Sequence, residues 1–115
     1  MTRGEFEKKA EKIFQDCLSI SKGKQSDYCA NADPFDNLRK SELCGASIEQ
    51  GIFTRLADKF SRVGSLIKKM NSVGEGQRIL DESLQDTLDD LINYTMLLKI
   101  YLEEKYDGQT AEQIK

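Results

Sequence analysis

The sequence contains no histidine and no tryptophan, and its only proline is Pro34. Without histidine, the chain has neither a Cys–His dyad for thiol catalysis nor the nitrogen ligands common in zinc sites. Its three cysteines, Cys17, Cys29 and Cys44, are odd in number and form no Cys-x-x-Cys pair. These absences argue against a zinc site and against thiol catalysis.

Long apolar runs and an excess of positive charge are also missing. No stretch approaches the roughly 18 apolar residues that span a bilayer, and residues 1–12 are charged with no apolar segment behind them. The formal net charge of −3 gives no basic patch for duplex nucleic acid or for an anionic membrane. We therefore expect a cytoplasmic protein that binds neither, although a small anion could still bind through a metal ion.

Length and composition predict one domain. The 115 residues suit a single core, which we place within residues 1–107, followed by a polar tail at residues 108–115. Hydrophobic residues make up 38% of the chain, which is low for a small monomer that encloses its own core. Association through a helical face is therefore expected.

Apolar residues recur at helical spacing in three long segments and one short one. We predict helices at residues 4–21, 35–44, 47–69 and 80–106, hence an all-α compact bundle of three long helices and one short one. A loop that allows a short turn at residues 27–30 is predicted at residues 22–36, because Pro34 disfavours helix before it. Gly45 is a stop signal, and Ser47 with Gln50 has the form of a capping box. The stripes predicted to be buried are Phe6, Ala10, Ile13, Phe14, Cys17 and Leu18; Ile48, Ile52, Leu56, Phe60, Val63 and Ile67; and Leu84, Leu88, Leu91, Thr95, Leu98 and Leu102.

The last helix carries an acidic line of its own. Glu82, Asp86, Asp90 and Asn93 lie at i, i+4, i+8 and i+11, so they share one face. Like charges at this spacing repel by a few tenths of a kcal/mol per pair, which is a local cost. One interpretation is a solvated face that complements the helix dipole or pairs with lysines. The other is a site for one or two Mg²⁺ ions, with Mn²⁺ as a substitute, because hard cations prefer carboxylates.

The helix at residues 47–69 supplies charges of the opposite sign, in Arg55, Asp58, Lys59 and Arg62. Asp58 and Arg62 are one turn apart and could form an ordinary surface ion pair. If this helix packs antiparallel to the acidic one, Asp58 could instead join the acidic line. The cations would then meet phosphate oxygens.

The segment before the short helix mixes aromatic and hydrogen-bonding side chains. Tyr28 and Phe35 either pack into the core beside a capped turn or stack on a base. In the second case Asp27 or Asn37 would read the edge of the base, and Lys24 belongs to the same candidate set.

Three segments together resemble a known family. They are residues 24–37 with D-Y and D-P-F-D-N elements, residues 55–62 reading R-L-A-D-K-F-S-R, and residues 81–94 reading D-E-S-L-Q-D-T-L-D-D-L-I-N-Y. The chain resembles the nucleotide modification associated domain family of phages and bacteria, which looks related to the MazG-like all-α nucleoside triphosphate pyrophosphohydrolases. The likeness covers roughly residues 20–100, and the third segment is its most specific part.

The resemblance implies a MazG-like fold and a Mg²⁺-dependent hydrolysis of a nucleoside triphosphate to monophosphate and pyrophosphate. Glu82 and Asp86 would hold the metal with help from Asp58 or Asp90, and Asn93 would orient a carboxylate or a water. Arg55, Lys59 and Arg62 would contact phosphate, and Tyr28, Phe35 and Asn37 would hold the base. MazG-like enzymes bind Mg²⁺ through an E-x-x-E motif on one helix and an E-x-x-D motif on the next. Glu82 and Asp86, or Asp86 and Asp89, would stand in for the second motif. The first motif is not matched, since Arg62 follows Asp58 where a second acid is expected. Members of the related fold assemble as dimers or tetramers.

Two other functions stay open at this point. One is a non-catalytic helical module that self-associates or binds a partner through its apolar stripes. The other is a protein that binds a nucleotide without hydrolysing it.

Overall fold

The computed structural model describes residues 1–28, 35–72 and 82–107, with the side chains of residues 24–28 and 36–37 outside that description. Within these residues the chain is all-α, with three long helices and one short one, as predicted. The elements are α1 (Arg3–Tyr28), the 3₁₀ helix η1 (Asp36–Cys44), α2 (Ile48–Asn71) and α3 (Glu82–Lys105). None of these helices is long and apolar enough to cross a lipid bilayer.

Helix α1 continues to Tyr28, so the loop predicted for residues 22–28 is wrong. Gly23 is the weakest helix former in residues 22–28, and an interior glycine costs only about 1 kcal/mol relative to alanine. Proline 34 lies too far along the chain to end the helix earlier. The remainder of the predicted loop, residues 29–34, lies outside the described residues.

The turn between η1 and α2 follows the predicted signals. Gly45 adopts a left-handed φ of 81°, and its N–H donates to the carbonyl of Glu42. Ser47 and Gln50 form the reciprocal capping box, in which each side chain accepts a hydrogen bond from the backbone N–H of the other, at 3.2 and 2.8 Å. The start of α2 is thus fixed by local chemistry.

The main core lies between η1, α2 and α3. Helix α2 runs antiparallel to α3, since Glu49 at its start pairs with Lys105 at the end of α3, and Lys59 pairs with Asp90. The buried centre consists of Leu38, Ile48 and Ile52, and Phe35, Leu56, Tyr94, Leu97, Leu98 and Tyr101 pack around it.

Helix α1 packs against α3 over a short contact. Cys17 is fully buried there, with its Sγ atom 3.6 Å from Oδ1 of Asp89. The other large apolar residues of the predicted α1 stripe are exposed, including Phe6 at 53% and Phe14 at 59%. The burial predicted for this stripe is therefore confirmed only around Cys17.

Helix α2 has two apolar faces, and within the described residues only one of them packs against η1 and α3. Ile52 is fully buried, but Phe60 and Ile67, predicted to lie in the same buried stripe, are 74% and 44% exposed. Lys59 takes the half-buried place beside α3 because it pairs with Asp90. On α3, Leu84 is buried as predicted, whereas Leu88 is 42% exposed.

Candidate anion-binding groove

An open groove of about 460 Å³ lies between α2 and α3. Four of its lining residues come from two turns of α2 and one comes from α3. They are Arg55, Asp58, Lys59, Arg62 and Tyr94. Positions three or four residues apart share one face of a helix, which explains how α2 brings its four charged side chains together.

Lys59, one of the lining residues, forms an ion pair with Asp90 of α3. The Nζ atom of Lys59 lies 3.1 Å from Oδ2 of Asp90, and the two side chains are 33% and 20% exposed. Partial burial makes this pair stronger than a fully solvated one, since water screens it less. The pair neutralises Lys59, and among the described residues Arg55 and Arg62 have no ion-pair partner.

Arg55 lies against Tyr94. Its Nη1 atom is 3.5 Å from the tyrosine Oη, and its Cζ atom is 5.9 Å from the ring centroid. Both distances are near the outer limits for a hydrogen bond and for a cation–π contact. The contact between Arg55 and Tyr94 is therefore weak, and the Arg55 side chain is exposed.

The predicted pair between Asp58 and Arg62 does not form. Both side chains are exposed, and among the described residues Arg62 has no ion-pair partner. The ion pair that does form here joins Lys59 of α2 to Asp90 of α3. Because Asp90 pairs with Lys59, the groove offers Arg55 and Arg62 against one lining carboxylate, Asp58, in a chain whose net charge is −3.

The acidic residues of α3 are not gathered into one cluster. Glu82 and Asp86 are exposed, Asp90 pairs with Lys59, and Asp89 faces Cys17 of α1. Burial, with the Asp89 carboxylate as the next cause, raises the pKa of the Cys17 thiol. Within residues 1–28, 35–72 and 82–107, no three Cys, Asp or Glu side chains lie close enough to hold a metal ion. These residues therefore do not fit a metal ion bound by protein ligands alone.

Asn93 is buried beside this region of α3, with 8% of its surface exposed. Neither its amide nitrogen nor its amide oxygen has a hydrogen-bond partner in the described part of the chain. Burial of an amide without hydrogen bonds destabilises a folded protein, so the Asn93 side chain lowers the stability of this region. Asn93 does not line the groove.

None of the residues predicted to hold a base lines the groove in the described part of the structure. The side chains of Lys24, Asp27, Tyr28 and Asn37 are among those that the structure does not describe. Phe35 packs at the η1 end of the core, edge-on to Tyr101 with ring centroids 5.5 Å apart. Its ring is therefore part of the core rather than of the groove.

The sequence reasoning missed Tyr94, the one aromatic residue of the groove. A signal for it was present, because Tyr94 follows Asp90 by four residues and so shares its face of α3. Comparisons with protein-family models, with curated proteins and with solved structures gave no match to this chain.

Proposed function

We propose that this chain binds a phosphate-bearing nucleotide in the groove between α2 and α3. The observation that carries the proposal is that two arginines, Arg55 and Arg62, line one open groove of an acidic protein, beside a lysine, Lys59, that pairs with Asp90. Arginine guanidinium groups match phosphate oxygens in pairs, and a local excess of positive charge attracts a diffusing anion. The chemistry of the groove therefore suits phosphate.

Tyr94 supports a nucleotide rather than a bare phosphate ion. It is half-buried and lies in the same groove as the arginines, so an aromatic face and a hydroxyl group are close to the cations. Aromatic side chains stack on any base, which contributes about 1–3 kcal/mol per base in single-stranded nucleic-acid complexes. A ligand with phosphate at one end and a ring at the other fits this lining.

Magnesium and hydrolysis form the finer part of the proposal and rest on the resemblance to MazG-like enzymes. No three described Cys, Asp or Glu side chains lie close enough to hold a metal ion by themselves, so we assign no reaction step to one. Asp58 is the carboxylate within the groove, and Asp86 is the acid that the resemblance favours. Whether nucleotide is hydrolysed is decided by a separate assay from the one that measures binding.

Binding is tested by the thermal midpoint of unfolding, with each common nucleoside triphosphate, with pyrophosphate and with the nucleoside alone. A ligand that binds only the folded state stabilises it by about 2.7 kcal/mol at 100 times its Kd. We expect a rise with a triphosphate, with or without Mg²⁺, which is lost in Arg55→Gln and Arg62→Gln. Lys69→Gln is the matched control, since it removes the same charge from the same helix outside the groove.

The control makes the result decisive. A rise that Lys69→Gln abolishes as fully as Arg62→Gln would show a general charge effect and reject the groove. The absence of a rise with every ligand would also reject it.

Hydrolysis is tested by pyrophosphate release in the presence of Mg²⁺ or Mn²⁺. We expect release that falls in Asp58→Asn and in Asp86→Ala. Binding without release would identify a nucleotide-binding protein that is not a hydrolase, and would leave the groove itself supported.

A further inference from the structure

Three exposed residues of the groove lining follow one another along α2 in a fixed chemical order. With a rise of about 1.5 Å per residue, Asp58 lies about 4.5 Å and Arg62 about 10.5 Å beyond Arg55 along the helix axis. At about 100° per residue, Arg55 and Arg62 differ by only about 20° around the axis, and Asp58 lies within about 60° of both. The three side chains therefore form a row along one flank of α2.

The aromatic residue of the groove marks one end of this row. The Nη1 atom of Arg55 is 3.5 Å from the Oη atom of Tyr94, and its Cζ atom is 5.9 Å from the ring centroid. One turn further along α2, Lys59 meets Asp90, which lies one turn earlier on the antiparallel α3. Tyr94 is thus opposite the Arg55 end of the row, and Arg62 forms the end without an aromatic partner.

Asp58 separates the two arginines. Its side chain is exposed, and among the described residues it takes part in no ion pair and no hydrogen bond. A carboxylate only accepts hydrogen bonds, and it repels a phosphate group placed against it. The middle of the row therefore suits a neutral group that carries hydroxyl donors, and phosphate is favoured at an arginine end.

A ribonucleotide has the same order of groups. Its ribose joins the base to the phosphates, so a base at Tyr94 places the ribose near Asp58 and the phosphates towards Arg62. The two oxygens of a carboxylate can accept from both hydroxyls of a ribose diol, and an acidic residue binds the ribose 2′-hydroxyl in dinucleotide-binding folds. The opposite orientation would leave the base without an aromatic partner in the lining.

We propose that the groove selects a ribonucleotide, which lies along α2 with its base against Tyr94, its 2′,3′-diol on Asp58 and its phosphates at Arg62. This inference rests on the proposed function and adds the orientation of the ligand and the choice of sugar. Asp58 is then the residue that determines sugar specificity. Arg55 contributes a flat cationic surface beside the base.

The sugar is tested by isothermal titration calorimetry with the whole chain, without divalent cations so that the ligand stays intact. The probes are the ribo and 2′-deoxy forms of the nucleoside triphosphate with the largest thermal shift, and the corresponding ribonucleoside monophosphate. We expect wild type to bind the ribo form at least about 10-fold more tightly than the 2′-deoxy form, because hydrogen bonds to charged groups are among the stronger ones.

The Asp58→Ala variant should reduce this preference to about 2-fold or less. It also removes a negative charge near the phosphates, but that change acts equally on both sugars and cancels in their ratio. Asp58→Asn keeps one acceptor oxygen and should retain part of the preference. Glu104→Ala is the control, since it removes the same charge from an exposed position outside the groove.

The two arginines test the orientation. Arg62→Gln should abolish the gain in affinity from the monophosphate to the triphosphate, whereas Arg55→Gln should weaken both ligands by a similar factor. Both side chains are exposed, as is that of Asp58, so all of these variants should fold as wild type does. Helical circular dichroism equal to that of wild type checks this directly.

The outcomes separate this inference from the proposed function. A wild type that binds no nucleotide would overturn both. Equal affinity for the ribo and 2′-deoxy forms, or a ribose preference that Asp58→Ala leaves intact, would overturn this inference alone. Loss of the triphosphate gain in Arg55→Gln rather than in Arg62→Gln would overturn the orientation and, with it, the inference.

Discussion

The Oγ atom of Ser41 in η1 lies directly over the α carbon of Gly51 in α2. A Cβ atom added at Gly51 would be 2.7 Å from it. Ser41 cannot easily withdraw, since its hydroxyl donates to the carbonyl of Leu38 at 2.9 Å and lies 3.3 Å from that of Ser47. The contact therefore leaves no room for a side chain at residue 51.

Gly51→Ala should therefore destabilise the protein, although alanine is the better helix former. We expect a net loss of about 1–2 kcal/mol, because overpacking a tight contact outweighs the gain in helix propensity. Urea denaturation measures the change. Gly23→Ala is the comparison, since its Cβ would meet nothing within 4 Å, and there we expect a gain of about 0.5–1 kcal/mol. Equal effects at the two sites would contradict the close contact.

The pair formed by Lys59 and Asp90 predicts a coupling between α2 and α3. Its 3.1 Å separation and partial burial favour an interaction energy of about 1 kcal/mol. A double-mutant cycle with Lys59→Met and Asp90→Asn, measured by urea denaturation, gives that energy directly. A cycle that closes to zero would show that the two side chains do not interact in solution.

The contact between Glu49 and Lys105 predicts a dependence of stability on pH. The Lys105 ammonium, 2.6 Å from Oε2, is the main cause that holds the pKa of Glu49 below its ordinary value. A carboxyl group with a lowered folded pKa stabilises the protein above its unfolded pKa of roughly 4.3, and this stability is lost as the pH falls through the folded value. The difference in unfolding free energy between wild type and Glu49→Gln should be constant near neutral pH and should shrink in acid.

The same contact acts in the opposite direction at Lys105. Its hydrogen bond with Glu49 raises the pKa of the ammonium. The stability that this group contributes is present below its unfolded pKa of roughly 10.4 and is lost as the pH rises through the folded value. If the unfolding free energies of wild type and Glu49→Gln ran parallel through acid pH, the pairing of Glu49 with Lys105 would be contradicted.

The described cysteines should differ sharply in reactivity. Cys44 is exposed, whereas Cys17 is fully buried, and burial raises the pKa of its thiol. Because the thiolate is the reactive form, a disulfide reagent at neutral pH should modify Cys44 quickly and Cys17 only on unfolding. Stopped-flow thiol titration of Cys44→Ser and Cys17→Ser checks the assignment. Loss of a fast phase in Cys17→Ser would disprove the burial.

Local signals in the sequence were sufficient for much of the fold. Gly45 and the Ser47–Gln50 capping box act within four residues, so their effects could be predicted without knowledge of the tertiary structure. The end of α1 was placed too early because a helix boundary depends on the sum of weak propensities, and Gly23 alone is too weak to stop a helix.

The buried face of α2 was harder to predict. Phe60 and Val63 are both apolar and only three residues apart, but Phe60 is exposed and Val63 is half-buried. Periodicity shows that a helix has an apolar face, but it does not show which of two such faces meets its neighbour. Lys59 occupies a half-buried place because Asp90 is opposite it, and that depends on the register of α2 against α3.

The candidate site was predicted in part for the same reason. Arg55, Lys59 and Arg62 are three or four residues apart on α2, so their shared face could be predicted from spacing alone. Tyr94 comes from another helix, and only the antiparallel packing brings it to Arg55. Asp86 was the residue favoured for the site, yet it is exposed and outside the lining of the groove.

The short contact of α1 has a consequence for local unfolding. The described tertiary contact of this helix centres on Cys17 and Asp89, while its first four turns expose Phe6, Ile13 and Phe14. Local opening becomes easy where few apolar groups are buried, so the first turns of α1 need little free energy to open. Their amide hydrogens should exchange with solvent long before those of α2 around Ile52. The first turns of α1 can therefore open while Cys17 stays buried against α3 and the packing of α2 on α3 stays intact.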